Sequence, residues 1–230
     1  MKKTLFLMMS LGTLSMAKTA VEVRIGGDLS SEGKFKEVYN YIENKVIVPE
    51  QKNVIKNGFE LAGEVRTGGD LELGVGIAYR GSKLKGLENV FSTSSDTNLF
   101  VSENKKGTLS SVPLYLTARY NFRAVPGITP YVKANLGYSF NSGKNALTIF
   151  DSTKNKDVVK EVIEAENGIY YGIGGGIQVA GFVVDLTYNV NTVKINRSLT
   201  TDLSSSLSYS DKFKANNGIL TLGIGYTFGF

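Results

Sequence analysis

The chain ends on the stretch "GILTLGIGYTFGF", Gly218–Phe230. Leu220, Leu222, Ile224, Tyr226, Phe228 and Phe230 occupy alternate positions, and Thr221, Gly223, Gly225, Thr227 and Gly229 lie between them. Successive side chains of a β-strand point to opposite faces, so this segment has one apolar and aromatic face and one small, weakly polar face. A strand with one face in water carries charges or bulky polar groups on that face. The small face here calls for a crowded interior, and the greasy face calls for an apolar solvent.

The same alternation recurs upstream. The first strand is expected over Thr19–Leu29. A second and third lie in Gly58–Gly81 with a turn at "TGGD", and a fourth and fifth in Val112–Phe140 with a turn at "RAVPG". A sixth and seventh follow in Gly168–Val193 with a turn at "AG", and the closing stretch is the eighth. Gly, Asp and Pro at these turns fit tight hairpins. The other connections, Ser30–Asn57, Ser82–Ser111, Asn141–Asn167 and Lys194–Asn217, are long and rich in Lys, Ser, Asn, Thr, Asp and Glu. Short and long connections alternate throughout, the pattern of a transmembrane barrel with short periplasmic turns and long external loops. The predicted fold is all-β: an eight-stranded antiparallel up-and-down transmembrane β-barrel with four long extracellular loops and both termini on the periplasmic side. The loops are expected to be mostly solvated and mobile. Within them, "KFKEVYNYIENKVIV" could form a short helix or strand extension, and "NALTIFDSTKNKDVVKEVIEAE" a hairpin tip above the bilayer.

Sorting residues by face supports this orientation. One face collects Val23, Ile25, Phe59, Leu61, Val65, Leu73, Val75, Ile77, Tyr79, Leu114, Leu116, Tyr120, Leu136, Tyr138, Ile173, Phe182, Val184, Leu186, Tyr188 and Val190, almost without charge. Its Tyr and Phe residues gather toward strand ends, as in an aromatic girdle. The other face carries Glu22, Arg24, Glu60, Glu64, Arg66, Glu72, Arg80, Arg119, Lys133 and Asp185 among Gly, Ala, Thr and Asn. An eight-stranded barrel is only just wide enough inside for side chains. Glu22, Glu60, Glu64, Glu72 and Asp185 balance Arg24, Arg66, Arg80, Arg119 and Lys133. Isolated charges there would cost several kcal/mol each, so these residues are expected to form an ion-pair network that plugs the lumen. A soluble barrel with an apolar cavity would need the aromatic face inside, which would overcrowd eight strands.

The first seventeen residues read as a secretory signal. "MKK" is a basic start, "TLFLMMSLGTL" is too short to span a membrane as a helix, and Ser15 and Ala17 are the small residues of a cleavage site. The expected organisation is a signal peptide over 1–17 and a barrel domain over 18–230. Formal net charge is +5, and removing Lys2 and Lys3 leaves 5 − 2 = +3, too little to argue for nucleic acid. The chain has neither Cys nor His. Disulfides and thiol metal sites are excluded, and the usual general base and commonest metal ligand are missing. No catalytic residue, metal site or cofactor is expected. Glu60 and Glu64 lie on one strand face without a base arrangement beside them. "GIGGGI" lacks the third glycine of a dinucleotide loop and opens no helix, so it reads as close packing.

"VPLYLTARYNF" with its Pro-Gly turn and "ITPYVKANLGYSF", together with "GIYYGIGGGI", "VDLTYNV" and "GIGYTFGF", resemble the small outer-membrane β-barrel family of OmpA-type transmembrane domains, OmpW-like proteins and opacity proteins. The resemblance implies the outer membrane of a diderm bacterium, with lipid and lipopolysaccharide as surroundings. It also implies that Leu222, Ile224, Tyr226, Phe228 and Phe230 act as a recognition signal for the barrel-assembly machinery. The leading expectation is a non-enzymatic barrel that contributes to envelope structure and displays surface loops. The alternatives are a small porin-like channel for small solutes and an adhesin whose loops bind host or partner-cell surfaces.

Overall fold

A computed structural model of the chain describes residues 18–34, 55–84, 99–105, 108–122, 126–151, 155–201 and 207–229. The expected signal peptide, positions 35–48 of the first long connection and Phe230 lie outside the described residues.

The strands are β1 (Lys18–Lys34), β2 (Ile55–Gly68), β3 (Leu71–Leu84), β4 (Leu99–Lys105), β5 (Thr108–Asn121) and β6 (Ile128–Ser142). They continue with β7 (Lys144–Asp151), β8 (Lys156–Glu166), β9 (Gly168–Val179), β10 (Phe182–Thr201) and β11 (Leu207–Gly229). Eight of them, β1, β2, β3, β5, β6, β9, β10 and β11, pair antiparallel in that order, and β11 closes onto β1 from Ala20↔Gly229 to Lys34↔Asn216. Closure gives every barrel strand two neighbours, the condition for keeping backbone amides out of lipid. One bulge interrupts the closing seam between Asp28 and Ser30.

The expected faces are those observed. Val23, Leu61, Leu73, Leu116, Leu136, Ile173, Phe182, Leu222 and Ile224 are exposed on the outer wall. Phe122, Phe182, Tyr226 and Phe228 mark its lower end, and Phe59, Tyr79, Tyr138, Phe140, Tyr171 and Tyr188 its upper end. Edge-to-face contacts tie the lower ring together, with Phe182–Tyr226 centroids 5.1 Å apart and Tyr226–Phe228 4.8 Å. Val190 departs from the expected lipid face. It is buried, just below the point where β10 exchanges β9 for β8 as its neighbour.

The long connections differ from the expectation of mobile loops. β4 and β5 are separated only by residues 106–107, β6 and β7 only by Gly143, and β8 and β9 only by Asn167. β4 pairs with β7, β7 with β8, and β8 with Lys194–Thr201 of β10, which stays paired to β11 as far as Thr201↔Leu207. Five segments thus carry the barrel wall upward on one side. Of the two readings of Asn141–Asn167, the projecting hairpin is the one found. Sequence could not separate them because its polar outer face satisfies loop and water-exposed strand alike. The strand breaks are held by asparagine: the Asn141 backbone N–H donates to Asn167 Oδ1 at 3.0 Å, and Asn141 Nδ2 to the Glu166 carbonyl at 3.1 Å.

At the β9–β10 turn Ala180 and Gly181 both have positive φ, 47° and 89°, the requirement of a type I′ hairpin, which favours Asn-Gly. Alanine in that region costs about 1–2 kcal/mol. Ala180→Asn is therefore expected to stabilise the folded barrel by about 1 kcal/mol, read as a higher urea midpoint in lipid vesicles.

Candidate functional site

Alternation along each strand sends one residue in two to the barrel axis, and there the sequence supplies charge. Glu22, Arg24, Glu60, Glu64, Arg66, Arg80, Arg119, Lys133 and Asp185 are all buried, and Glu72 is partly buried at the periplasmic mouth. They come from β1, β2, β3, β5, β6 and β10, and the pairs Arg119–Glu22, Arg24–Asp185 and Lys133–Asp185 join strands that are not neighbours in the sheet.

The lowest layer centres on Glu22. Its Oε2 accepts from Arg66 Nη2 at 2.9 Å, Arg119 Nη1 at 3.1 Å and Thr227 Oγ1 at 3.0 Å. Arg66 also donates to Glu64 at 2.7 Å and through Nε to Glu72 at 2.9 Å. Arg119 donates to Gln178 at 2.6 Å and Asn121 at 2.8 Å, and its guanidinium lies 3.6 Å from the Tyr131 ring centroid. Planar guanidinium groups suit this role because one fork reaches several carboxylates at once.

The middle layer centres on Arg24. Its Nη1 donates to Asp185 Oδ2 at 3.0 Å and its Nη2 to Glu60 Oε1 at 3.0 Å, and Nη1 also stands 3.6 Å from Glu64 Oε1. Asp185 Oδ2 further accepts from Lys133 Nζ at 2.5 Å and from the Tyr131 hydroxyl at 3.2 Å. The Tyr115 hydroxyl donates to Glu64 Oε1 at 2.9 Å. Above this, Arg80 pairs with Glu60, donates to Thr221 at 3.0 Å, and lies 3.7 Å from Asp28. An uncharged layer follows, in which Asn191 Nδ2 donates to Ser111 at 2.9 Å and Asn141 at 2.8 Å.

All ten charged residues singled out in the sequence take part in this set of contacts. Asp28, Tyr115, Tyr131 and Tyr170 complete it. Asp28 belongs to the inward register of β1 but sits at the strand's expected end. Its carboxylate accepts from the Gly58 backbone N–H at 3.0 Å and Thr221 Oγ1 at 3.2 Å. Adding it changes the expected balance: Glu22, Asp28, Glu60, Glu64, Glu72 and Asp185 face Arg24, Arg66, Arg80, Arg119 and Lys133, six acids against five bases. Tyr115 has the inward parity of Thr117 and Arg119, whereas Tyr131 and Tyr170 were hidden because on sequence they are interchangeable with girdle residues. Inside, their rings fill the axis, with Tyr115 and Tyr170 centroids 5.4 Å apart. Glycine makes room for them, since a Cβ at Gly76 would lie 2.5 Å from the Tyr115 ring. The inward glycines of "GIGGGI" likewise stand against Asn189, Thr187 and Asp185, so the motif is a packing surface.

Among the described residues no group of Asp, Glu, His or Cys is arranged to hold a metal ion. What the arrangement does chemically is fix charge: each carboxylate meets a guanidinium or ammonium group, most often one from another strand.

A family model for the outer membrane protein beta-barrel domain matches residues 4–228. The uncharacterized protein PM1543 of Pasteurella multocida (strain Pm70) is 29% identical over 131 residues, 52% of this chain and 50% of that protein. The chain thus spans about half the length of the curated relative it matches. Among solved structures, the barrel is similar to Neisserial surface protein A at 14% identity, covering 91% of this chain and 97% of that one, with TM-score 0.41. Ail, the attachment invasion locus protein of Yersinia pestis, is similar at 16% identity, 92% and 99% coverage, and TM-score 0.40. A major outer membrane protein from Thermus thermophilus is similar at 13% identity, 91% and 99% coverage, and TM-score 0.49.

Removing one member of a buried pair strands the other, at about 3–5 kcal/mol. Arg24→Met is expected to lose about that much by urea unfolding in vesicles, and Glu60→Gln in the same chain to recover part of the loss through coupling. Lys144→Ala breaks an exposed 2.7 Å pair with Glu164 and is expected to cost less than about 1 kcal/mol.

Proposed function

Since the chain belongs to the outer membrane protein β-barrel family, we propose that it is a non-enzymatic integral protein of the bacterial outer membrane, closed to solutes along its axis. It contributes to envelope structure and presents its one-sided wall outside the cell. The observation that carries this reading is the position of Arg24, which reaches from β1 to Glu60 on β2 and Asp185 on β10. A solute moving along the axis has to part these pairs and leave buried charges without partners. Leu222, Ile224, Tyr226 and Phe228 face the lipid side of the last strand, which supports their use, with Phe230, as the assembly signal. Residues 1–17 act as the export signal in this reading, and outer-leaflet lipid is the main partner of the folded protein.

A second reading, contact with other cells through the external wall, is favoured by the paired β7–β8 hairpin, which offers a shaped surface where a loop would offer none.

The test is conductance in planar bilayers. Wild-type protein is expected to show no steady open level, and Arg24→Ala is expected to produce discrete openings. Deleting residues 145–165 is expected to leave the closed behaviour unchanged while abolishing any attachment of whole cells. Steady wild-type conductance would replace the closed barrel with a channel.

A further inference from the structure

Above the upper aromatic ring, the outer wall of β10 and β11 carries two lysines side by side. Lys194 and Lys214 are direct register partners, both exposed. Like charges directly opposite one another weaken a strand pair, and neither lysine has an ion-pair partner among the described residues. The acid nearest in register is Glu166, opposite Lys194 on β8. Its carboxylate is engaged instead by Asn196. The next pair down is Thr192↔Asn216, whose side chains bond each other at 3.0 Å through Asn216 Oδ1, leaving the amide nitrogen to donate outward. Lys34 on β1 is the other register partner of Asn216, and Lys212 lies one pleat above Lys214.

Position identifies the ligand. Lys194 has the same strand parity as the lipid-facing Val184, Leu186 and Tyr188, so the lysine pair continues the membrane-facing surface. It stands twelve residues beyond Phe182 of the lower ring, about 30 Å higher for a strand rising about 3.3 Å per residue at a tilt of about 40°, and so about 5 Å beyond an apolar band about 25 Å tall. That is the headgroup layer outside the hydrocarbon core. We propose that Lys194 and Lys214, with the Asn216 amide, form a binding site for a phosphate group on the anionic glycolipid headgroups of the outer leaflet. Opposed residues of an antiparallel pair have Cβ atoms about 5 Å apart, so two flexible ammonium groups can reach one phosphate. The bound anion turns their repulsion into attraction to a shared partner. This assignment rests on the outer-membrane reading above, and it adds a fixed lipid contact on one side of an otherwise greasy belt.

The test uses the full chain folded into phosphatidylcholine vesicles with and without bisphosphorylated lipid A, insertion being scored first by heat-modifiable gel migration. Retained lipid A is then counted by native mass spectrometry across a lipid titration. Lys194→Gln with Lys214→Gln is expected to weaken retention roughly 30-fold at low salt, from about a fivefold contribution per lysine near the surface. Lys160→Gln on β8, also an exposed lysine, is expected to change nothing. Lys214→Glu is expected to raise the unfolding midpoint in pure phosphatidylcholine, because it pairs with Lys194, while still losing lipid A. Equal retention by wild type and the double variant, or equal loss with Lys160→Gln, overturns the site. Competition by inorganic pyrophosphate as strong as that by lipid A overturns the lipid as its source. Failure of the wild type to insert overturns the membrane reading instead.

Discussion

A charge on the axis of an eight-stranded barrel has almost no water to turn to, so it has to be answered by another side chain. That constraint orders the whole interior. Glu22 pairs with Arg66 and Arg119 near the periplasmic mouth, and Arg24 with Glu60 and Asp185 in the middle. Because the partners come from different strands, the network acts as a set of cross-braces. The outer face meets the opposite condition. Lipid gains nothing from its apolar side chains that it would not gain from others of the same kind, so Leu, Ile and Val are interchangeable there in physical terms while the axis is tightly specified.

The ionic interior has a limited stabilising role. Buried pairs of this kind often break even against well-packed apolar groups of the same volume. In a barrel that has to be polar inside and apolar outside, however, the network also fixes register. Slipping one strand by a single residue would turn that strand's charged side chains into lipid and its apolar ones onto the axis. The inward glycines serve the same end: Gly76 admits the Tyr115 ring, and Gly223 admits the Arg24 side chain against Asp185.

Much of this was legible in the sequence. A period of two is unambiguous when one face is greasy and the other charged, so Glu64, Arg66 and Leu222 declared their sides from spacing alone. The turns at "TGGD" and "AG" bounded the hairpins for the same reason. Three things were not legible. Asp28 keeps the inward parity of Glu22 and Arg24, but it follows Gly26 and Gly27 at the strand's expected end, where no apolar side chain beside it marks the outer face. Tyr131 and Tyr170 look like girdle residues, because an aromatic ring suits lipid and lumen equally well. The wall above the membrane has water outside, and there Lys, Ser and Thr alternate too weakly to distinguish strand from loop.

The β10–β11 hairpin runs through twenty register pairs, from Phe182↔Tyr226 to Thr201↔Leu207, around a connection of five residues, 202–206. The seam that completes the cylinder joins Ala20 to Gly229, almost the full length of the chain. Loop-closure entropy rises with the logarithm of the separation, so the two ladders flanking β11 stand at opposite ends of the contact-order scale. The last strand can be held ready by its local partner while the cylinder is still open. Zippering it to β1 is then the non-local event that converts a curved sheet into a sealed one.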